Sequence, residues 1–309
     1  MMLNKKRIIN SIGLLAMSTA LVFILKTFAS FDLELSYLLT AENFILLISS
    51  ILIFVIAVFL TAYAWSMVIN FFSDGNMKLK SALHVYTKAN LGKYLPGNIG
   101  HYAGRQLFGA SLGISQIKMA ITTVVEISYI SFASLLLILF SSLNRLPLVK
   151  DYILAIVNLP TLLIVIAVIM VLSIIFYVRF SKETYIDELV ALVNSRKFKI
   201  VLLRALLVSI ASSSMFGATY VLIVAAATHV TINDALLIFA SFTTSNFIGF
   251  ITPGVPGGIG VREALLTLML SPLYSQEIIL TTAVLHRFGM ILGDVASWLI
   301  CLTWNKLKS

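Results

Sequence analysis

The chain has 309 residues, of which 60% are hydrophobic and 11% are charged, and its net charge is +9. Because soluble domains carry about 25% charged residues, this composition excludes an ordinary soluble protein and predicts an all-α integral membrane protein. Most basic residues lie in short loops between apolar runs, where they set the orientation in the membrane, so nucleic-acid binding is not expected. The single cysteine, Cys301, excludes a disulfide framework and a cysteine metal site.

Six apolar runs are long enough to form full transmembrane helices. The first follows Lys5, Lys6 and Arg7 and is too long for the apolar region of a signal peptide, so it is interpreted as an uncleaved first helix. The six predicted spans are residues 8–25, 44–72, 114–143, 152–178, 200–227 and 278–303. Before the fifth span lies a polar loop, in which residues 185–193 have amphipathic spacing and are predicted to lie on the membrane surface.

Two further segments are predicted to enter the membrane and return on the side they came from. One descends through residues 235–251, breaks at the sequence PGVPGG and returns through residues 259–270. At about 1.5 Å per residue the returning piece is about 18 Å long, so it cannot cross a hydrocarbon core of about 30 Å. The other has arms at residues 79–91 and 102–112 around PGNIG. With these re-entrant hairpins, the positive-inside rule places both termini on the cytoplasmic side of the cell membrane.

The two hairpins have related sequences. Moving TKANLGKYLPGNIGHYAGR by 157 positions aligns it without a gap on TSNFIGFITPGVPGGIGVR. The identical pairs are Thr87 and Thr244, Gly92 and Gly249, Pro96 and Pro253, Gly97 and Gly254, Gly100 and Gly257, and Arg105 and Arg262. At the same offset, Phe59 and Tyr63 align with Phe216 and Tyr220. We interpret residues 44–143 and 200–303 as an inverted-topology repeat within one membrane domain, residues 1–309, an architecture found in secondary transporters.

Two residues of opposite charge lie inside predicted spans. They are Glu126 in TTVVEISYI and Arg287 in AVLHRFGMILGDV, one helical turn apart in the frame of the repeat. A charge in hydrocarbon needs a partner or a cavity, so we expect these two residues to be coupled at the centre of the protein, either to serve a substrate or to lock the two halves together. Asp294, on the same helix as Arg287, is either its companion within that helix or an independent group.

Arg105 and Arg262 close the two hairpin motifs at matched positions. An arginine fork holds a phosphate or carboxylate through two parallel hydrogen bonds, and the start of the following helix adds partial positive charge. Anion recognition is therefore the functional interpretation, and snorkelling of each arginine to the nearest interface is the structural alternative. Glu263 is expected to neutralise Arg262 when no substrate is bound.

The first hairpin carries further charge. Lys80, His84 and Lys88 are four residues apart and share one helix face, which needs water or a ligand. The histidines show no metal-ligand spacing, and the glycine loops lack the surrounding features of a nucleotide loop, so neither a metal nor a cofactor is expected. The predicted substrate-binding residues are Lys88, Arg105, Glu126, Arg262, Glu263 and Arg287, and no catalytic residue is assigned.

These motifs resemble those of the lysylphosphatidylglycerol synthase transmembrane, or flippase-like, family, over almost the whole chain. The matching residues in the second motif are Pro253, Gly254, Pro256, Gly257, Gly258, Gly260, Arg262 and Glu263, and those in the first are Pro96, Gly100 and Arg105. Glu126 also matches, although Ile127 follows it where the family often has arginine. The resemblance implies a stand-alone membrane module without the soluble synthase domain, acting on a phospholipid or a polyprenyl-phosphate-linked sugar.

The favoured function is transport of such an anionic lipid between the two leaflets, with enzymes of envelope-lipid synthesis as the expected protein partners. One alternative is a membrane-embedded, lipid-linked glycosyltransferase. Against it, no loop could house a nucleotide-sugar domain, and the acidic triplet from Asp32 to Glu34 lies on the outer side. The other alternative is a non-transporting subunit of an envelope-lipid or glycan assembly.

Overall fold

The computed structural model describes residues 40–73, 75, 77–94, 100–143, 192–252, 258 and 260–306. Within these ranges the chain forms α-helices, turns and one short 3-10 helix, Leu91–Tyr94, and contains no strand. The helices are α1 (Ala41–Phe72), α2 (Leu79–Asn90), α3 (Gly100–Ala110), α4 (Gln116–Leu143), α5 (Arg196–Ala227), α6 (Ile232–Ile251), α7 (Val261–Leu270) and α8 (Gln276–Lys306). The all-α architecture predicted from the sequence is therefore confirmed.

Five of the described helices, α1, α4, α5, α6 and α8, are long and apolar enough to cross a membrane. The chain is thus a multi-pass membrane protein, and the predicted spans 44–72, 114–143, 200–227 and 278–303 each correspond to one of these helices. The predicted spans 8–25 and 152–178, and nearly all of the surface segment 185–193, lie outside the described residues. The number of six full spans therefore stays a prediction.

Three helices begin earlier than the apolar runs that predicted them, and a polar side chain caps each of these starts. Thr40 accepts a hydrogen bond from the backbone of Asn43 at 3.3 Å, and Ser195 accepts one from Phe198 at 3.1 Å. At the start of α6, the Thr231 hydroxyl accepts from the Asp234 backbone while that aspartate accepts from the backbone of Thr231. Such caps satisfy amide donors that the first turn leaves unpaired. The apolar pattern therefore places these helix starts three or four residues too late.

Helices α1 and α5 form the largest helix pair and lie at the centre of the bundle. Every other principal contact occurs twice: α1 packs on α2 as α5 packs on α6, and α2 pairs with α3 as α6 pairs with α7. Likewise α4 contacts α5 and α6, whereas α8 contacts α1 and α2. This correspondence between the two halves supports the proposed internal repeat.

In each hairpin, the two arms approach each other closely at a glycine of the first arm. A Cβ on Gly92 would lie 2.7 Å from the backbone carbon of Gly100, and Gly249 lies against Gly258 in the second hairpin. The second arms, α3 with 11 residues and α7 with 10, are only about 15 Å long, too short to cross a membrane. Helix α6 has 20 residues and could cross alone, so the re-entrant path stays a prediction.

Apolar side chains fill the spaces between these helices in three clusters. One surrounds Trp65 where the first hairpin meets α1, and its counterpart surrounds Tyr220 and Phe242 in the second half. The third lies where α1, α4 and α5 meet, around Phe72 and Phe198. The matched pair Tyr63 and Tyr220 differs, because Tyr220 is fully buried and Tyr63 is exposed.

Candidate functional site

Arg105 and Glu126 form a buried ion pair within the first half. The guanidinium Nη1 of Arg105, on α3, donates to Oε2 of Glu126, on α4, and each residue is 2% exposed. The hydroxyl of Tyr86, on α2, donates to the other carboxylate oxygen at 2.9 Å. Helices α2, α3 and α4 thus converge on one carboxylate, and both of its oxygens are occupied.

Aromatic rings close this pair off from its surroundings. The Arg105 guanidinium lies 4.4 Å from the Tyr86 ring centroid, 5.2 Å from that of Tyr102 and 6.0 Å from that of Trp65. Cations are attracted to such ring faces, most strongly when water is excluded. The structure therefore contradicts the alternative in which Arg105 snorkels to an interface. It also makes Arg105 the direct partner of Glu126, so the predicted coupling of Glu126 with Arg287 is wrong.

Arg287 instead pairs with Glu263 in the second half. Its Nη2 donates to Oε1 of Glu263 at 2.6 Å, and both side chains remain about one-fifth exposed. The other oxygen of Glu263 accepts the backbone N–H of Gly260 at 2.6 Å and so caps α7. The expectation that Glu263 offsets the charge of Arg262 stays a prediction, because Glu263 acts on Arg262 electrostatically while both of its carboxylate oxygens bind other groups.

Arg262 has no carboxylate partner among the described residues. Its side chain passes between two glycines: a Cβ on Gly249 would lie 2.8 Å from Cγ of Arg262, and a Cβ on Gly258 would lie 2.8 Å from its Nε. That Nε is buried, and no described group accepts from it. Arg105 also has an unpartnered Nε, but its charge is balanced by Glu126. The Arg262 side chain is thus packed between glycines, and its guanidinium has no direct carboxylate partner among the described residues.

Asp294 connects the two halves of the protein. This α8 residue is 1% exposed and accepts from three groups at the tip of the first hairpin: Lys93 at 2.6 Å, Asn90 at 2.7 Å and Tyr94 at 2.5 Å. It is therefore independent of Arg287, and of the two interpretations left open by the sequence, the companion within α8 is wrong. A fully coordinated, buried carboxylate at this place holds the first hairpin against the last helix.

These groups form one charged site, here called the central cluster: Lys93, Arg262, Glu263, Arg287 and Asp294. Arg262 interacts electrostatically with Arg287, Glu263 and Tyr94. The Tyr94 hydroxyl, bonded to Asp294, is also within electrostatic reach of both arginines. The end of the first arm of the first hairpin, the start of α7 and helix α8 therefore meet at the central cluster.

The remaining predicted residues lie elsewhere or outside the described ranges. The Lys88 ammonium lies over the Phe108 ring, 4.3 Å from its centroid, between the arms of the first hairpin. Gly100, Gly258 and Gly260 take part in the hairpin turns, and Gly258 and Gly260 have positive φ values of 71° and 83°. The motif residues that lie outside the described ranges are Pro96, Gly97, Pro253, Gly254, Pro256 and Gly257.

Histidine His286 belongs to the packed core beside the central cluster. It forms a hydrogen bond of 2.8 Å with the Thr219 hydroxyl and lies edge-on to the rings of Tyr220 and Phe242. No group of three or more histidine, cysteine, aspartate or glutamate side chains in the described part of the chain could hold a metal ion.

Sequence reasoning missed Lys93 and the role of Asp294. The available signal was local: Lys93 stands three residues before the proline of PGNIG, at the tip of a predicted hairpin. A lysine so deep in an apolar segment requires a partner, and Asp294 is one of the few acidic residues within a predicted span. Their pairing depends on contact between α2 and α8, which are about 200 residues apart.

Residues 10–295 match the model of a protein family described as the lysylphosphatidylglycerol synthase transmembrane region. The match covers nearly the whole chain. No curated protein and no solved structure matches the chain.

Proposed function

The chain belongs to the lysylphosphatidylglycerol synthase transmembrane family, and from this membership and the central cluster we propose that it moves an anionic lipid between the two leaflets of the cell membrane. The phosphate of the head group, from a phospholipid or a polyprenyl-phosphate-linked sugar, binds at the central cluster. Arg262 is the principal ligand, and Arg287 adds a second cation.

The proposal rests mainly on Arg262, whose guanidinium has no direct carboxylate partner among the described residues. A guanidinium charge held inside a membrane protein is costly unless an anion balances it. Glu263 is committed to Arg287 and to the cap of α7, so it does not bind Arg262 directly. A phosphate oxygen pair is the geometry that an arginine fork fits best.

The packing of the helices supports transport. Matched helical hairpins that meet near the middle of the protein are the arrangement used by secondary transporters with inverted repeats. Both carboxylates of the central cluster are held by cations, Glu263 by Arg287 and Asp294 by Lys93. Neither is therefore poised as a general base, which favours binding over catalysis such as glycosyl transfer.

The test is leaflet exchange of fluorescent phosphatidylglycerol in vesicles that contain the purified protein. We expect Arg262→Lys to slow exchange about tenfold, because lysine keeps the charge but loses the planar fork. Arg204→Lys is the matched control, since Arg204 is exposed on α5 and should retain full exchange. Mass spectrometry of the lipids after incubation detects any chemical change.

Arg105→Lys should behave differently from Arg262→Lys. Arg105 and Glu126 form a buried pair, so Arg105→Lys should lower the yield of folded protein. The exchange rate per folded molecule should stay nearly unchanged. Full exchange by Arg262→Lys would contradict the proposed function. A covalently altered lipid produced by the wild-type protein would favour the enzyme alternative.

A further inference from the structure

We propose that the central cluster selects lipid head groups with one net negative charge, such as a phosphodiester, and that Lys93 and Asp294 set this preference. The inference rests on the proposed function, because it assigns the charge class of the head group bound beside Arg262. It concerns two residues, in the first hairpin and in α8, that are not among the substrate-binding residues predicted from the sequence.

The central cluster has one more positive charge than negative charges. The central cluster contains three cations, Lys93, Arg262 and Arg287, and two carboxylates, Glu263 and Asp294. Three positive and two negative charges leave a net charge of +1. The Arg105 and Glu126 pair is neutral as a unit and is closed off by aromatic rings, so it does not change the count.

The neighbouring segments add no formal charge. The hairpin-tip sequences LPGNI and PGVPG contain no acidic or basic residue. His286 lies in a packed setting against Tyr220 and Phe242, and a histidine carries little charge at neutral pH. The Tyr94 hydroxyl keeps its proton and donates a hydrogen bond to Asp294, so Tyr94 is neutral. Among the described residues, the count of +1 therefore holds for the central cluster.

The charge of the bound head group should balance the net charge of the central cluster. Inside a protein, charges interact far more strongly than in water, so a site is most stable when the bound ligand neutralises it. A phosphodiester with one negative charge brings the total to zero. A phosphomonoester with two negative charges leaves a net charge of −1 beside two carboxylates, and a head group with no net charge leaves the site at +1. The preferred class is therefore the singly charged one.

Lys93 and Asp294 can change this balance without altering the arginine fork. They contact each other at 2.6 Å, and Asp294 is held by Asn90 and Tyr94 in addition. Asp294→Asn preserves the side-chain shape and raises the net charge of the cluster to +2. Lys93→Met keeps an unbranched stem and lowers the net charge to zero. The double variant returns the cluster to +1.

The experiment measures exchange in vesicles of mainly zwitterionic lipid at pH 8, with three labelled probes. These are phosphatidylglycerol with one negative charge, phosphatidic acid with close to two, and phosphatidylcholine with none. We expect the wild-type protein to exchange phosphatidylglycerol at least about tenfold faster than either other probe, which corresponds to about 1.4 kcal/mol. Asp294→Asn should shift the ratio at least about tenfold toward phosphatidic acid. Lys93→Met should remove the preference for phosphatidylglycerol over phosphatidylcholine.

The double variant Lys93→Met/Asp294→Asn supplies the decisive comparison. It lacks the whole ion pair and should recover the wild-type ratio of the three probes, whatever its absolute rate. Because only ratios are compared, partial loss of folded protein does not affect the result. An unchanged ratio in Asp294→Asn, or a double variant that differs in ratio from wild type, would overturn the inference. Failure of the wild-type protein to exchange any probe would instead overturn the proposed function.

Discussion

The guanidinium of Arg105 is enclosed by three aromatic rings and balanced by Glu126, whereas Arg262 passes between two glycines without a direct partner in the described chain. The two arginines occupy the same position in their motifs. Their difference arises from the helix that follows each hairpin, because α4 supplies a carboxylate opposite Arg105 and α8 supplies Arg287 near Arg262. On the proposed function, we expect Arg105 to stabilise the fold and Arg262 to bind the head group.

Removing the charge of Glu126 should destabilise the protein, because Glu126 balances the buried Arg105. Glu126→Gln leaves the Arg105 charge buried and unbalanced, and breaking a buried ion pair costs about 3–5 kcal/mol. Glu263→Gln is the matched control, because the Glu263 and Arg287 side chains are partly exposed and water can replace the lost partner. Thermal unfolding in detergent should show a clearly larger loss for Glu126→Gln. Equal losses for the two variants would contradict the sealed pair.

Pairing can be tested directly with double-mutant cycles on the same stability measurement. Arg105→Gln and Glu126→Gln share an interaction and should be strongly non-additive, by more than about 1 kcal/mol. Glu126→Gln and Arg287→Gln have different partners and should be additive within about 0.5 kcal/mol. Strong non-additivity between Glu126→Gln and Arg287→Gln would instead support the coupling predicted from the sequence.

At the residue scale, the sequence identifies most of the charged groups but not their partners. Glu126 and Arg287 are visible because each interrupts an apolar run. Which residue each one meets depends on the rotation of α4 and α8 about their axes and on their packing against the hairpins. Each of these two charges pairs with a residue of the hairpin that precedes its own helix.

At the scale of the helical elements, the crossing point of each hairpin depends on a glycine in its first arm. The two glycines differ in what an added methyl group would meet. At Gly92 it would lie within 2.9 Å of the backbone of Gly100 and His101, and at Gly249 it would meet the flexible side chain of Arg262. Backbone atoms cannot move without moving the helix that carries them, whereas an arginine side chain can rotate.

Alanine substitutions should therefore have different consequences in the two hairpins. We expect Gly92→Ala to lower the stability of the protein by about 1–3 kcal/mol through overpacking. Gly249→Ala should cost less stability but should slow lipid exchange, because it displaces Arg262. Gly289→Ala is the control, since its nearest neighbour, a side-chain atom of Ile51, is 3.6 Å away. A Gly249→Ala variant with normal exchange would show that the position of Arg262 is not critical.

Apolar length predicts the elements well and their ends less well. The runs of Leu, Ile, Val and Phe place the long helices correctly, but Thr40, Ser195 and Thr231 extend three of them backwards through caps. The hairpin breaks follow from proline and glycine, which interrupt helices for known steric reasons. Whether α6 spans the membrane or returns within it is not a property of its length alone, since 20 residues suffice for either path.

At the scale of the whole molecule, orientation in the membrane is the main testable property. The distribution of basic residues predicts that both termini are cytoplasmic, and this requires re-entrant hairpins. We expect Ile232→Cys, at the first residue of α6 and 85% exposed, to react with a membrane-impermeant maleimide added outside intact cells. Ser309→Cys should react only after permeabilisation. Both variants use a Cys301→Ala background, which removes the single, buried native thiol.

Labelling of Ser309→Cys from outside would contradict this topology and with it the inverted relation of the halves. Failure of Ile232→Cys to react from outside would place the loop before α6 in the cytoplasm or within the membrane. The two positions therefore test the predicted paths of α6 and α8 separately.

The paired contacts about α1 and α5 have a consequence for the history of such a chain. Duplication of an ancestral gene would produce two halves that repeat the same packing, and the surroundings of the matched arginines differ between these halves. Joining two copies of the first half would yield two enclosed arginines and no open one, whereas two copies of the second half would yield two open arginines and no sealed pair. We therefore expect that neither half could substitute for the other.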